Sequence, residues 1–211
     1  MENLPNLLKR EISKGLPAIE AHRVMAPLER VLDQNYDEIV KTAKLSAVLV
    51  LLFRSDDQWH TILMERNTYN GHHSGQISFP GGRKEVYDLD LKATALREFE
   101  EEMGVKFKSE EIIGELSELY IPPSNFYVKP YLACIDADFK FIPEEKEVSA
   151  ILPVLIRELL DPANKTIEKV LVSKHNFSID APVYKINGKV IWGATAMMIS
   201  ELEFLLKRID F

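Results

Sequence analysis

Four glutamates crowd into one short segment of the chain, Arg97-Glu98-Phe99-Glu100-Glu101-Glu102-Met103-Gly104-Val105. If this segment is helical, Glu98, Glu101 and Glu102 stand at positions i, i+3 and i+4 and share one face, within an arc of about 100°. Like charges on one helix face repel each other, and a bound divalent cation would reverse that repulsion. Because hard carboxylate oxygens suit Mg²⁺ or Mn²⁺, the pattern indicates a metal site.

The alternative interpretation is a solvated acidic helix face, which is common in glutamate-rich helices. Here the acidic segment follows the turn Pro80-Gly81-Gly82, and the first carbonyls of such a turn can also face a metal. Arg97 precedes Glu101 by four residues and can orient that carboxylate through a charge-assisted pair. The context therefore favours the metal interpretation.

The elements that must position these residues are predicted from hydropathy and turn patterns. Either Asp88 or Asp90 can cap a helix from about 91 to 103, which Gly104 would close. The sequence Asn187-Gly188 predicts a hairpin between 183–186 and 189–192. Strands and helices mix without regular alternation, which predicts an α+β fold or an α/β/α sandwich. The other predicted strands are 46–54, 60–65, 76–79, 112–120, 127–135 and 147–152, and the other predicted helices are 4–14, 153–160 and 194–208.

The composition is that of an ordinary globular protein. The 211 residues are 46% hydrophobic and 28% charged, which predicts a domain over 45–211 with a helical N-terminal extension, 1–44, packed on it. The net charge of −7 argues against a general nucleic-acid binder. A single cysteine, Cys134, cannot form a disulfide within the chain, so a cytoplasmic location is expected. No targeting or membrane-spanning segment is apparent, so no membrane partner is expected.

Residues 79–82 and 97–105 together resemble the Nudix box, whose core is R-E-U-x-E-E-x-G-U with U apolar. The chain meets every fixed position of that core, and the box opens with Phe79-Pro80-Gly81-Gly82. Gly82 and Arg97 are 15 positions apart, one more than in the usual box, and the acidic residue between them is an aspartate, Asp88 or Asp90. The branch of the family that cleaves coenzyme A has the same kind of lengthened box.

Further segments are similar to the same branch. Residues 66–82 resemble its additional motif R-S-x-x-L-R-x-H-x-G-Q-x-x-F-P-G-G, although Asn70 and Gly71 stand where leucine and arginine are expected. Segments 123–131 and 191–196 also look like this branch, so the resemblance covers most of residues 45–205. The matching positions of the additional motif are Arg66, His73, Gly75, Gln76 and the Phe-Pro-Gly-Gly end.

The resemblance implies a Nudix-type α/β/α sandwich with a mixed β-sheet that hydrolyses a nucleoside diphosphate linked to another moiety. For this branch the substrate is coenzyme A or a derivative, and the products are 3′,5′-ADP and 4′-phosphopantetheine. A pyrophosphate substrate agrees with the acidic helix, because cations can neutralise phosphate oxygens and lower the pKa of a bound water. The implied metal ligands are Glu98, Glu101, Glu102 and the carbonyl of Gly81, and Glu98 is also a candidate base beside Arg97.

Additional site residues are implied outside the box. Glu147 resembles the position where Nudix enzymes often place a further glutamate, and the alternative is a solvated acidic loop. Arg66 and His73 are candidates for contacting phosphate or nucleotide, with a structural hydrogen bond as the alternative for His73. Phe126 is a candidate for stacking on adenine, and the alternative is an aromatic residue of the core. Lys129 is a candidate for binding a phosphate, and the alternative is a surface lysine that contacts only water.

Other functions stay open at this point. Within the same fold, ADP-ribose, dinucleotide polyphosphates or an oxidised nucleotide are alternative substrates. A non-catalytic nucleotide-binding module would normally lack box carboxylates, which this chain retains. An isomerase would need another base or a thiol in the pocket. The N-terminal helix is a possible surface for a homodimer.

Overall fold

The computed structural model describes residues 3–27, 36–68, 75–172 and 177–211, with the backbone alone at residues 36 and 37. None of the helices in these ranges is both long and apolar enough to cross a membrane. The helices are α1 (Leu4–Ser13), α2 (Ala18–Met25), α3 (Tyr36–Val40), α4 (Leu91–Met103), α5 (Ile156–Leu160) and α6 (Gly193–Lys207). The strands are β1 (Lys44–Ser55), β2 (Gln58–Arg66), β3 (Ile77–Ser78), β4 (Gly81–Arg83), β5 (Ile112–Glu115), β6 (Leu119–Ile121), β7 (Phe126–Ile135), β8 (Val148–Leu155), β9 (Lys165–Val172), β10 (Phe177–Ile186) and β11 (Lys189–Trp192).

The larger sheet is mixed and is built around β1. That strand pairs in parallel with β7 and antiparallel with β2 and β4. The order is β3-β2-β1-β7-β5, with β6 paired to β7 and β8 paired to β2. The continuous apolar run of β1 is typical of a central strand that is covered on both faces.

Helices cover both faces of this sheet. Leu49 and Leu51 of β1 pack with Phe99 of α4 on one face. Val50 and Leu52 belong to the cluster on the other face, where α1, α2, α5 and α6 contribute buried residues. Successive residues of a strand point to opposite faces, so each side chain of β1 and β7 can be assigned to one layer. The α/β/α sandwich predicted from the sequence is confirmed.

A buried carboxylate joins the N-terminal helices to the rest of the fold. Glu201 of α6 is fully buried and accepts hydrogen bonds from Ala18 N (3.1 Å), Ser117 N (2.9 Å) and Ser117 Oγ (2.5 Å). Its Oε2 atom also lies 3.3 Å from His22 Nε2. Burial disfavours the charge, but the hydrogen bonds from His22 and Ser117 outweigh it and lower the pKa of Glu201. Residues 18–25 are therefore tied directly to α6.

A second sheet has three strands in the order β11-β10-β9. Its strand β9 was not predicted from the sequence. The predicted hairpin at Asn187-Gly188 connects β10 to β11. The buried Glu203 of α6 anchors this sheet, since its carboxylate accepts hydrogen bonds from Lys165 Nζ and from Tyr184 Oη.

Among the predicted elements that differ in extent, two have a visible cause. The strand expected over 112–120 is two strands, because Ser117 N donates to Glu201 and not to β7. The helix expected over 153–160 begins only at Ile156, because Pro153 pairs with Ile62 in β8, at the border of the sheet where proline is tolerated.

Candidate functional site

The carboxylates are displayed by α4, whose two ends are fixed by local signals. Asp90 is the N-cap, and its side chain accepts a hydrogen bond from Ala93 N at 2.7 Å. Gly104 closes the helix in the left-handed conformation, with φ of 70°. Phe99 and Met103 are fully buried beneath the helix, and its glutamates lie outside this apolar stripe.

Asp88, the other aspartate considered as a cap, has a different role. It is 6% exposed, and its Oδ1 and Oδ2 atoms accept hydrogen bonds from Arg97 Nε and Nη2, both at 2.9 Å. Glu85 N and Thr94 Oγ1 also donate to Oδ2. The Arg97 guanidinium holds the pKa of Asp88 well below its usual range, and Asp88 in turn raises the pKa of Arg97. Asp88 thus fixes Arg97 in one orientation.

Arg97 in turn orients the side chains of two glutamates. Its Nη1 atom donates to Glu98 Oε1 at 2.9 Å and to Glu101 Oε2 at 2.8 Å. Its Nη2 atom also donates to the Arg83 carbonyl at 3.1 Å. Burial raises the pKa of Glu98, although the hydrogen bond from Arg97 works in the opposite direction. One guanidinium therefore aligns two of the carboxylates expected to bind metal.

Glu102 is the most buried of the three carboxylates, with a side chain that is 1% exposed. Its Oε2 atom accepts a hydrogen bond from Gly81 N at 2.7 Å. Its Oε1 atom has no hydrogen-bond partner within the described ranges, and Arg66 Nη1 lies 3.6 Å from it. Burial raises the pKa of Glu102 to about 8. A buried oxygen without a donor is costly unless a cation or a proton satisfies it.

The glycine pair before α4 is required for two separate reasons. Gly81 has φ of 151°, and a Cβ there would lie 2.3 Å from the Ala47 carbonyl oxygen. Gly82 faces α4, and a Cβ there would lie 2.4 Å from Glu98 Oε2. The first glycine permits the backbone path, while the second leaves room for the Glu98 carboxylate.

Gly82→Ala is expected to lower turnover roughly 10- to 100-fold in a protein that still folds, because only the flexible end of Glu98 must move. Gly81→Ala is the contrasting variant, since its clash is with backbone and should destabilise the protein by about 3 kcal/mol or more. Thermal unfolding and steady-state rates of both variants would test this. Wild-type turnover in Gly82→Ala would contradict the placement of Glu98 in the site.

In the described part of the chain, no three His, Cys, Asp or Glu side chains are gathered closely enough to hold a metal ion. The reason is visible in the contacts: Arg97 holds Glu98 and Glu101, while Glu102 turns toward Gly81 N. The donor set nevertheless fits a hard divalent cation, because Glu102 Oε1 is buried on the same helix and accepts no hydrogen bond within the described residues.

The structure brings two further predicted residues to this helix. Arg66 ends β2 beside Glu102, as described above. Glu147 precedes β8, and its carboxylate lies close enough to raise the pKa of both Glu98 and Glu102. The loop before Glu147 is held against the end of α4 by a hydrogen bond from Glu144 N to the Glu102 carbonyl at 3.1 Å.

The remaining predicted residues are placed differently. Lys129 Nζ is already paired with Glu115 Oε2 at 2.7 Å and Glu118 Oε1 at 2.6 Å, so a phosphate would have to compete with two carboxylates. Phe126 shares the strand face of Val128, away from α4, and Lys44 Nζ lies 5.6 Å from its ring centroid. The structure therefore does not bring Phe126 to the carboxylates. His73 lies outside the described residues.

Comparison with known proteins assigns the chain to a family whose fold agrees with the structure described above. The family model of the NUDIX domain matches residues 43–172. The "Uncharacterized Nudix hydrolase NudL" of Yersinia pestis (strain Pestoides F) is 29% identical over 143 residues, which cover 67% of this chain and 69% of that protein. NudL of Yersinia pseudotuberculosis (serotype O:3, strain YPIII) gives the same values.

Two solved structures share the fold. A MutT/nudix family protein from Enterococcus faecalis superposes with a TM-score of 0.55 at 14% identity, covering 98% of this chain and 76% of that one. The Nudix hydrolase RenU from M. smegmatis has a TM-score of 0.51 at 12% identity, covering 89% of this chain and 96% of that one.

The chain belongs to the Nudix family. It is a Nudix hydrolase, an enzyme that acts on phosphorus-containing acid anhydrides. Enzymes of this family generally use divalent metal ions, which agrees with the donor set of α4.

Proposed function

We propose that this protein hydrolyses the pyrophosphate bond of coenzyme A or its derivatives, to 3′,5′-ADP and 4′-phosphopantetheine or its acyl form. The observation that carries this proposal is the carboxylate face of α4, with Glu102 buried beside Arg66 and an oxygen left for a cation. The lengthened box and the similarity of residues 66–82 to the additional motif support coenzyme A as the substrate.

Glu98, Glu101, Glu102 and the Gly81 carbonyl would hold Mg²⁺ or Mn²⁺. When bound, such ions neutralise the diphosphate oxygens and lower the pKa of a water molecule. Arg97 fixes the direction of Glu98 and Glu101 through its bond to Asp88, so it acts as a positioning residue in this scheme.

The other residues bind substrate or move protons. Arg66 can donate to a diphosphate oxygen near Glu102, whereas Lys129 already shares its charge with Glu115 and Glu118. Water attacks one phosphorus, the bridging P–O bond breaks, and two phosphate monoesters leave. The proton of the water passes to a carboxylate, for which Glu147 and Glu98 are the candidates.

The substrate can be tested with a panel of coenzyme A, acetyl-coenzyme A, ADP-ribose and diadenosine tetraphosphate. We expect cleavage of coenzyme A or its acetyl ester with Mg²⁺ or Mn²⁺, release of 3′,5′-ADP on chromatography, and loss of the reaction in EDTA. Intact coenzyme A together with cleaved ADP-ribose would show that the coenzyme A assignment is wrong.

The alternatives have weaker support. A non-catalytic binding module would not need the three carboxylates that α4 retains. An isomerase with a thiol in the pocket is disfavoured, because Cys134 lies in the cluster away from α4 and burial raises the pKa of its thiol to about 12. A homodimer through the N-terminal helices and a cytoplasmic location stay predictions from the sequence.

A further inference from the structure

A cavity of about 340 Å³ lies beside the second sheet, outside the carboxylate site. Val170, Val190 and Trp192 line it from the sheet, and Gln76 lines it from the segment before β3. The register pairs Val170 with Ile179 and Trp192 with Val183, so Val170, Val190 and Trp192 share one face, while Lys169 and Leu171 line the cavity from the neighbouring positions of β9. That face continues into a small buried apolar cluster, which makes the wall of the cavity apolar.

Charge is directed away from this wall. Lys169 also lines the cavity, but strand alternation turns its side chain to the face opposite Val170. It is exposed, like Ile167, which lies two residues earlier on the same face. The wall formed by Val170, Val190 and Trp192 therefore offers apolar contact, with Lys169 at the neighbouring position of β9.

Gln76, which lines the cavity, is a direct neighbour of the candidate site. Arg66 N donates to the Gln76 carbonyl at 3.1 Å, while Arg66 Nη1 lies 3.6 Å from Glu102 Oε1. One residue thus borders both the lining of the cavity and the carboxylate helix. Arg66 is therefore the residue past which a molecule with its diphosphate at Glu102 would have to extend to reach the cavity.

The walls of the cavity are held in place by bonds between elements. Lys189 Nζ of β11 lies 2.6 Å from Glu65 Oε2 of β2. Thr195 Oγ1 of α6 donates to the Ile77 carbonyl of β3 at 3.0 Å. A cavity with fixed walls avoids much of the entropic cost of ordering a binding site.

We propose that this cavity binds the uncharged arm of the diphosphate substrate, and that Val190 and Trp192 determine specificity for that arm. The volume falls in the range of small-molecule sites, about 300–1,000 Å³. The pantetheine arm is an uncharged chain that contains amides. Its methylene and methyl groups can pack on the apolar wall, and its amides can bond to backbone at the edge of the cavity. This inference rests on the proposed function, because it assumes a substrate with a diphosphate and a second, uncharged arm.

The test compares Val190→Asp with Ile167→Asp as the matched control. Both residues belong to the second sheet and are partly exposed, at 37% and 64%, but only Val190 lines the cavity. We expect Val190→Asp to raise KM for coenzyme A about tenfold with kcat within about twofold, and Ile167→Asp to match the wild type. Equal KM values for the two variants would overturn the inference.

A binding measurement separates this inference from the proposed function. Pantetheine alone should change the tryptophan fluorescence of the wild type, and the change should be lost in Trp192→Phe. Absence of any pantetheine binding would overturn the inference even if coenzyme A is cleaved. If pantetheine binds but neither coenzyme A nor ADP-ribose is hydrolysed, the proposed function fails and the cavity assignment stands.

Discussion

Glu102→Gln is expected to lower turnover at least about 100-fold, because it removes a charged oxygen from the proposed cation site. Glutamine has nearly the same shape, and its carbonyl can still accept the hydrogen bond from Gly81 N. The rate of coenzyme A hydrolysis in Mg²⁺ or Mn²⁺ measures the effect.

The control for this variant is Glu100→Gln on the same helix. Glu100 is 44% exposed and pairs with Lys106 at 3.0 Å, on a side of α4 that plays no part in the site. We expect wild-type turnover in Glu100→Gln. Equal rates in the two variants would remove Glu102 from the catalytic apparatus.

Thermal unfolding distinguishes lost chemistry from lost structure in Glu102→Gln. A carboxylate that is 1% exposed is costly to bury, and the neutral amide avoids most of that cost. We therefore expect the melting temperature of the metal-free variant to equal or exceed that of the wild type. A large fall in melting temperature would attribute the loss of turnover to unfolding.

Asp88→Asn is expected to destabilise the protein by about 3 kcal/mol, because it leaves the Arg97 guanidinium without its buried partner. For a chain of this size, that corresponds to a fall in melting temperature of roughly 6–12 °C. Turnover should also fall about 10- to 100-fold, since Arg97 orients Glu98 and Glu101. Unfolding curves and steady-state kinetics measure the two effects.

The same pair gives a stability that depends on pH. The pKa of Asp88 is lowered in the folded state from an ordinary value of 3.8, so the folded state favours the charged form. Its contribution is complete above that ordinary value and is lost as the pH falls toward the folded pKa. The stability difference between wild type and Asp88→Asn should therefore be constant from about pH 5 to pH 8 and shrink below about pH 4.

Asp90→Asn is the matched control for Asp88→Asn. Asparagine caps helices about as well as aspartate, so the hydrogen bond to Ala93 N should survive. We expect its melting temperature to stay close to that of the wild type. A destabilisation as large as that of Asp88→Asn would show that Arg97 does not distinguish the two aspartates.

The sequence is most informative where one local signal determines the structure. The apolar run of β1, the cap and Gly104 of α4, and the Asn187-Gly188 hairpin are all strong patterns within a few residues, and each element forms as expected. The spacing of Glu98, Glu101 and Glu102 likewise places them on one helix face.

The features that the sequence does not reveal depend on contacts distant in the chain. The break after β5 arises because Ser117 N bonds to Glu201, 84 residues away. Hydropathy does not separate Asp88 from Asp90, since only the folded position of Arg97 assigns their roles. Phe126 and Tyr127 are neighbouring aromatic residues of β7 that point to opposite faces of the sheet. The register of β7 with β1 determines which face each one occupies.

The contacts of Glu201 connect segments that lie on both sides of the stretch matched by the family model. The match to the family ends at residue 172 and begins at residue 43, yet Ala18, His22 and α6 share this one carboxylate across that boundary. A chain cut to the matched region would lose α6 and bare the apolar layer that it covers. The matched region on its own therefore lacks part of one layer of the sandwich, which the rest of the chain supplies.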